Sequence, residues 1–272
     1  MDPNRCMRHT NRDFLLPICA LVIASGPLLG ETVMQVRDGH PIVEGVYVNG
    51  HGPYRFLVDT GTNVNLIETK LARSIGLVAS FRTELASSTS IVVVPGCDGI
   101  EVALDSVKAD AQKFLFSGLE APRKRWADIQ GVLGQWFLAG FDYTLDLRGK
   151  RMEFGKQDRN GTRTRSTTIN GRMAVSTSLG DLVLDSGTDR LVLFGVQADM
   201  GSAFKGELRT VTGSRQIGTV FTKPLVIEGR KVWCGDAVAI PNRPEPGVDG
   251  LLPLGLFKTV YVCNSEGYVV FE

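Results

Sequence analysis

The sequence predicts an all-β protein: two pseudosymmetric, barrel-like lobes of six to seven strands each, a few short helices, and a deep cleft between the lobes. Three observations predict it. One stretch occurs twice, as Phe56-Leu57-Val58-Asp59-Thr60-Gly61-Thr62-Asn63 and as Leu182-Val183-Leu184-Asp185-Ser186-Gly187-Thr188-Asp189. Around each copy the chain runs in short alternating segments broken by turn residues, which is the pattern of strands. The features that follow the first copy recur in the same order after the second. A repeat of about 120 residues present only twice implies two lobes and not a solenoid.

Residues 1–30 are expected to be an export signal. Arg5, Arg8 and Arg12 precede an uncharged apolar run over 14–29. That run matches a signal-peptide core and is short for a membrane span of about 20 residues. An uncleaved N-terminal anchor is the alternative, so the protein is expected to be exported, as a periplasmic or secreted protein or as one anchored to the membrane through its N-terminus. Residues 31–156 are expected to form the first lobe. Ile42–Val48 alternates as a strand, Asn49-Gly50 signals a hairpin, and Tyr54–Val58 returns with Asp59 at its end. Apolar positions 67, 71 and 75 predict a helix over 66–77, capped by Gly76.

Residues 78–120 read as several strands, with a projecting hairpin around 85–96. Gly131-Val132-Leu133-Gly134 reads as a buried strand meeting glycine. A short helix over 136–141 and a hairpin over 143–154 close the lobe. Residues 157–167 are polar and basic, and are expected to be a linker. Residues 168–272 then repeat the order: a strand over 173–177, the strand of Asp185, a hairpin around 207–220 with its tip at 212–214, Gly250-Leu251-Leu252-Pro253, and a hairpin over 259–271.

Bulk composition excludes several functions. The 272 residues are 43% hydrophobic and 22% charged, enough for a real core. A formal charge of +1 gives no electrostatic reason to expect nucleic acid or an anionic membrane as partner. Basic residues at 123–125 and in 157–167 read as solvated surface. Of five cysteines, Cys6 and Cys19 fall in the leader. Cys97, Cys234 and Cys263 read as buried thiols or as one Cys234–Cys263 bridge plus a thiol. His9, His40 and His51 stand in no cluster with metal-ligand spacing, so neither metal nor other cofactor is expected. No Gly-x-Ser-x-Gly elbow and no phosphate-binding Gly-Lys-Ser/Thr occurs.

A single Asp-Thr-Gly turn is ordinarily structural, because Asp caps its own turn. Two copies in matched surroundings point to chemistry. Gly131 follows Asp59 by 72 positions and Gly250 follows Asp185 by 65. Two carboxyls brought close together cannot both ionise easily, so one stays acid while the other is base. Such a pair splits a peptide bond with water alone. Gly61 and Gly187 would let the turns approach without a Cβ between them. The hydroxyls of Thr60, Ser186, Thr62 and Thr188 would hold the loops around the carboxylates.

These stretches resemble the active-site loops of aspartic peptidases, the pepsin and retropepsin superfamily, and most of all bacterial retropepsin-like peptidases with two fused lobes. Gly131-Val132-Leu133-Gly134 is similar to the apolar-apolar-Gly element beneath each catalytic loop. The resemblance implies an aspartic endopeptidase acting on peptide or unfolded protein as a monomer, with Asp59 and Asp185 as the catalytic pair. It implies that Thr60 and Ser186 bridge the lobes, and that Gly61 and Gly187 neighbour the substrate backbone. The hairpins around 85–96 and 207–220 are the candidate flaps. The chain departs from the pattern at Pro253, which stands where the element has glycine, and no flap tyrosine follows the first motif. The alternative is a peptide-binding protein that kept the fold and lost turnover.

Overall fold

The computed structural model describes residues 30–87, 90–197, 205–210 and 213–272. The expected leader lies outside them except for Gly30, and so do residues 88–89 and 211–212 of the two expected flap hairpins. The regular elements of the described residues are overwhelmingly strands, as expected.

The chain opens with β1 (Gly30–Arg37) and β2 (His40–Val48), joined by Asp38-Gly39 with both residues at positive φ, 51° and 85°. Asn49-Gly50 repeats that geometry, 48° and 75°, before β3 (His51–Val58). Two successive positive φ values match the twist of a tight hairpin, and Asn, Asp and Gly adopt them at least cost. β4 (Leu66–Glu68) then runs directly into α1 (Thr69–Ser74). The helix expected over 66–77 is therefore shorter. Leu66 and Ile67 are strand residues that pair with two neighbours. Glu68 is the cap, its carboxylate accepting the Leu71 N–H at 2.7 Å.

β5 (Phe81–Ala86), β6 (Ile91–Leu104) and β7 (Val107–Ser117) follow, then α2 (Glu120–Arg125), β8 (Gly131–Leu133), α3 (Gln135–Leu138), β9 (Tyr143–Asp146) and β10 (Arg151–Phe154). β11 (Thr162–Ile169) corrects the expected linker, which reached residue 167. Its alternating Thr and Arg carry almost no apolar signal. Threonine suits a strand, and the segment is held by its ladder to the chain's last strand, with Thr164 buried.

The second half contains β12 (Arg172–Thr177), β13 (Gly180–Asp185), β14 (Val192–Phe194), β15 (Lys205–Thr210) and β16 (Gly213–Phe221). It ends with β17 (Leu225–Ile227), β18 (Arg230–Val232), β19 (Asp236–Ile240), β20 (Gly250–Pro253), β21 (Thr259–Cys263) and β22 (Tyr268–Phe271).

β1–β8 form one sheet. β11–β16 with β19 and β20 form its counterpart. Each sheet thus holds more strands than the six to seven expected. β3 lies parallel to β8 as β13 does to β20, and β4 and β14 repeat each other's pairings. A third sheet, in the order β1-β10-β9-β21-β22-β11, takes strands from both halves. Its mirror point is the β9–β21 seam, where Thr144 faces Tyr261. One apolar core runs through all of this, from Val58, Leu133 and Leu145 to Leu184, Leu252, Val260 and Phe271.

Of the two readings of the cysteines the thiols hold and the Cys234–Cys263 bridge does not form: Cys97, Cys234 and Cys263 are free thiols. Cys263 is fully buried within β21, whereas Cys234 lies just past β18 with its Sγ against the Val232 carbonyl. Burial pushes the Cys97 thiol up to about 11, which makes it inert. Among the described residues no helix is long and apolar enough to cross a membrane.

The departure at Pro253 has a local cause. Gly134 donates its N–H to the buried Asn65 side chain at 2.9 Å. The residue at the matching place after Asp185 is Leu191, which is buried and has no acceptor to offer. Proline has no N–H to satisfy, so Leu191 with Pro253 replaces Asn65 with Gly134 without orphaning a donor. Asn65 also donates to the Lys113 carbonyl at 3.1 Å. Asn65→Leu should therefore cost about 1–3 kcal/mol for each group left unpaired, read as a lower urea midpoint. An unchanged midpoint would refute this account.

Candidate active site

Both aspartates emerge from the ends of central strands. Asp59 follows β3 and donates its backbone N–H to Leu133 of β8 at 3.0 Å. Asp185 ends β13, opposite Pro253 of β20. The parallel pairs β3–β8 and β13–β20 thus aim the two loops at each other.

The loops are locked by four crossed hydrogen bonds. Thr60 Oγ1 donates to the Leu184 carbonyl at 2.8 Å and accepts the Ser186 N–H at 3.0 Å. Ser186 Oγ donates to the Val58 carbonyl at 2.7 Å and accepts the Thr60 N–H at 3.0 Å. Thr60 and Ser186 are each 1% exposed, so these bonds have no competition from water.

Above this lock the carboxyls meet. Asp59 and Asp185 lie close enough that each shifts the other's acidity. Each is also held from behind, Asp59 Oδ1 by the Gly61 N–H at 2.9 Å and Asp185 Oδ1 by the Gly187 N–H at 2.7 Å. The glycines are obligatory here. A Cβ on Gly61 would lie 2.3 Å from the Asp185 Cγ, and one on Gly187 would lie 2.6 Å from the Asp59 Cγ.

Thr62 and Thr188 play smaller parts than expected. Thr188 Oγ1 donates to the Arg190 carbonyl within its own loop. Thr62 uses its backbone, its carbonyl accepting the Gln135 N–H at 3.0 Å. Gln135, from α3, donates its side-chain amide to the Thr60 carbonyl at 2.9 Å.

Burial pushes both carboxyls up from the usual range. Asp185 rises further, because the Asp59 charge beside it adds to burial. Gly187 N–H and the Arg172 charge oppose that rise. For Asp59, burial is opposed by the Gly61 N–H, by His40, by the Asp185 side chain and by Arg172. Burial and mutual repulsion keep one proton on the pair, and the titration belongs to the pair.

His40 and Arg172 escaped the sequence reading. His40 Nε2 lies 3.1 Å from the Gly187 carbonyl, and Arg172 Nη1 donates to the Gly61 carbonyl at 3.2 Å. Each is the first strand residue after a two-residue turn, Asp38-Gly39 or Asn170-Gly171. Tracing the repeat upstream to these turns would have found both. The differing lengths of the β2–β3 and β12–β13 hairpins hid the match. Arg125 was read as solvated, yet it binds Asp38 at 2.9 Å and Asp189 at 3.6 Å.

The hairpins β5–β6 and β15–β16 reach each other at their ends, with Ser87 Oγ 3.0 Å from Thr210 Oγ1. A surface depression of about 520 Å3 lies elsewhere. Glu44, Tyr54, Arg55 and Asp128 line it, and it includes no residue of either loop.

Residues 45–137 match a family model described as aspartyl protease. That model describes an aspartyl protease family of the retropepsin-like clan. The match takes in β3, the Asp59 loop and the β8 element with Gly134. Outside the matched residues, β13, β14, β19 and β20 repeat the pairings of β3, β4, β7 and β8. No curated protein matches the chain.

Two outcomes follow. Ser186→Ala strands the Val58 carbonyl and the Thr60 N–H, so it should cost about 1–3 kcal/mol per orphaned group; a urea midpoint equal to wild type would contradict the lock. The raised acidities carry a sign as well. A carboxyl that is harder to ionise folded than unfolded binds more protons in the folded state, so stability falls as pH rises above about 4. Asp185→Asn relieves that penalty. Its melting temperature should exceed wild type at pH 7, by about 2–4 °C per kcal/mol relieved. The gain should shrink to nothing near pH 3, and a lower value at pH 7 would refute it.

Proposed function

We propose that the chain is an aspartic endopeptidase that hydrolyses peptide bonds with a water held between Asp59 and Asp185. The reading rests on one observation: two carboxyls, one from each half of the fold, are brought face to face over loops locked by crossed hydrogen bonds, and both are pushed up by burial. Asp59, ionised, takes a proton from the water as its oxygen attacks the scissile carbonyl carbon. Asp185, protonated, gives its proton to the carbonyl oxygen. The tetrahedral diol then collapses: one of its hydroxyls returns a proton to Asp185, the C–N bond breaks, and the nitrogen leaves with the proton held by Asp59. Neither a covalent intermediate nor a metal is required by this balance.

Substrate binds extended, through backbone hydrogen bonds with side chains alternating into pockets. β5–β6 and β15–β16 close over it as a pair of flaps, a role supported by the Ser87–Thr210 contact at their ends. Both aspartates belong to one chain, so a monomer suffices. The Arg-then-apolar leader supports export before activity.

Cleavage of an unfolded protein between pH 3 and 7 tests the reading. Asp59→Asn should lower the rate by about 10²–10⁴ or more, with peptide affinity largely retained. If the wild-type chain binds peptides and never cuts them, a peptide-binding protein replaces this reading.

A further inference from the structure

We propose that His40 and Arg172 are a matched pair of positioning residues. Each crosses to the other lobe as a cation and fixes the glycine carbonyl of that lobe's aspartate loop. For Arg172 the charge is permanent, while His40 must be imidazolium to hold both of its contacts.

The two sites correspond throughout. Asp38-Gly39 and Asn170-Gly171 are turns of the same form, with φ of 51° and 85° against 49° and 77°. Each turn is tied to the fourth residue past the opposite aspartate. Asn63 donates to the Asn170 carbonyl at 3.4 Å, whereas Asp189 reaches Asp38 through Arg125. Each next residue meets the opposite glycine: Arg172 at Gly61 and His40 at Gly187. Those same glycines hold the carboxylates through their N–H groups. A cation on the glycine carbonyl fixes the peptide that follows, and with it the backbone angle that aims the N–H at the aspartate.

The chemistry of His40 is constrained by its surroundings. The ring is 5% exposed, Nδ1 lies 2.9 Å from the Asp38 carbonyl, and Nε2 faces the Gly187 carbonyl. Carbonyl oxygens only accept, and neutral imidazole carries one N–H. Both contacts are hydrogen bonds only when both nitrogens are protonated. On losing a proton, one bond becomes a lone-pair clash. The charged and titratable groups around it are Asp59, which feels its charge, and Asp38 and Asp189, both paired with Arg125. The Trp126 ring stands edge-on at 5.0 Å. Arg172 stays charged at any working pH, with Glu245 as its carboxylate partner. The second lobe's loop is therefore held by a group whose grip is lost when the ring gives up a proton, and the first lobe's loop is not.

The kinetic part of this proposal rests on the peptidase reading, and the spectroscopic part does not. Nuclear magnetic resonance on the full chain follows the His40 ring nitrogens and the Gly187 and Thr188 amides through a pH titration. The His40 signals are identified by their loss in His40→Gln. The loop amides should shift with the midpoint of the His40 ring, and in His40→Arg that shift should vanish. Loop amides that ignore the His40 titration overturn the proposal, whether or not the chain cleaves anything. In kinetics, His40→Gln and Arg172→Gln should each lower kcat by about 10- to 100-fold with KM within about twofold. His40→Arg should restore kcat and carry activity to higher pH than wild type. An unchanged kcat in the Gln variants, or an Arg variant with the wild-type alkaline limb, overturns it. If His40→Gln fails to fold, the wild-type titration and His40→Arg still decide.

Discussion

The site depends on four hydrogen bonds exchanged between Thr60, Ser186 and the backbone of the opposite loop. Two carboxyls out of water and in contact repel each other and lose hydration, and both effects drive the loops apart. The crossed bonds oppose this. Each hydroxyl donates and accepts across the interface, so neither loop can withdraw without stranding buried polar groups from both halves. The side chain has to be short, hydroxylated and placed directly after the aspartate. That is why Thr and Ser occupy the one position and glycine the next, where a Cβ would strike the facing carboxyl.

The two halves share a plan and differ in execution. In the first, Asn65 and Gly134 tie the loop to the strand beneath it by a polar bond, and Gln135 adds another to Thr60. In the second, Leu191 and Pro253 fill the same place with apolar surface. The cations behind the loops also differ, as do the acidities of the two aspartates. A reaction that needs one acid and one base is served by such inequality. A perfectly symmetric pair would leave the proton's position to the substrate alone.

Much of this was legible in the sequence, because duplication supplies its own control. One Asp-Thr-Gly says little, but two in the same surroundings located the aspartates, the hydroxyls and the glycines. Strands with apolar alternation, such as β2, β3 and β13, were equally readable. β11 was not, since its Thr-Arg alternation is polar on both faces and only its partner β22 makes it a strand. The helix over 66–77 was overextended because Ile67 has helical spacing to Leu71 and Ile75, while its actual neighbours come from distant strands. His40, Arg172 and Arg125 were invisible for another reason. Their meaning lies in contacts across the two halves, which no local pattern encodes.

The β9–β21 seam joins residues more than a hundred positions apart, Thr259 to Asp146 and Val262 to Tyr143. Until β21 arrives, β9 is an open edge whose register and apolar face are already set, and such edges accept any strand that fits. The β21 of a second molecule fits as well as the chain's own. At high concentration, refolding chains can therefore exchange halves and yield intertwined dimers in which each composite site draws its aspartates from different molecules.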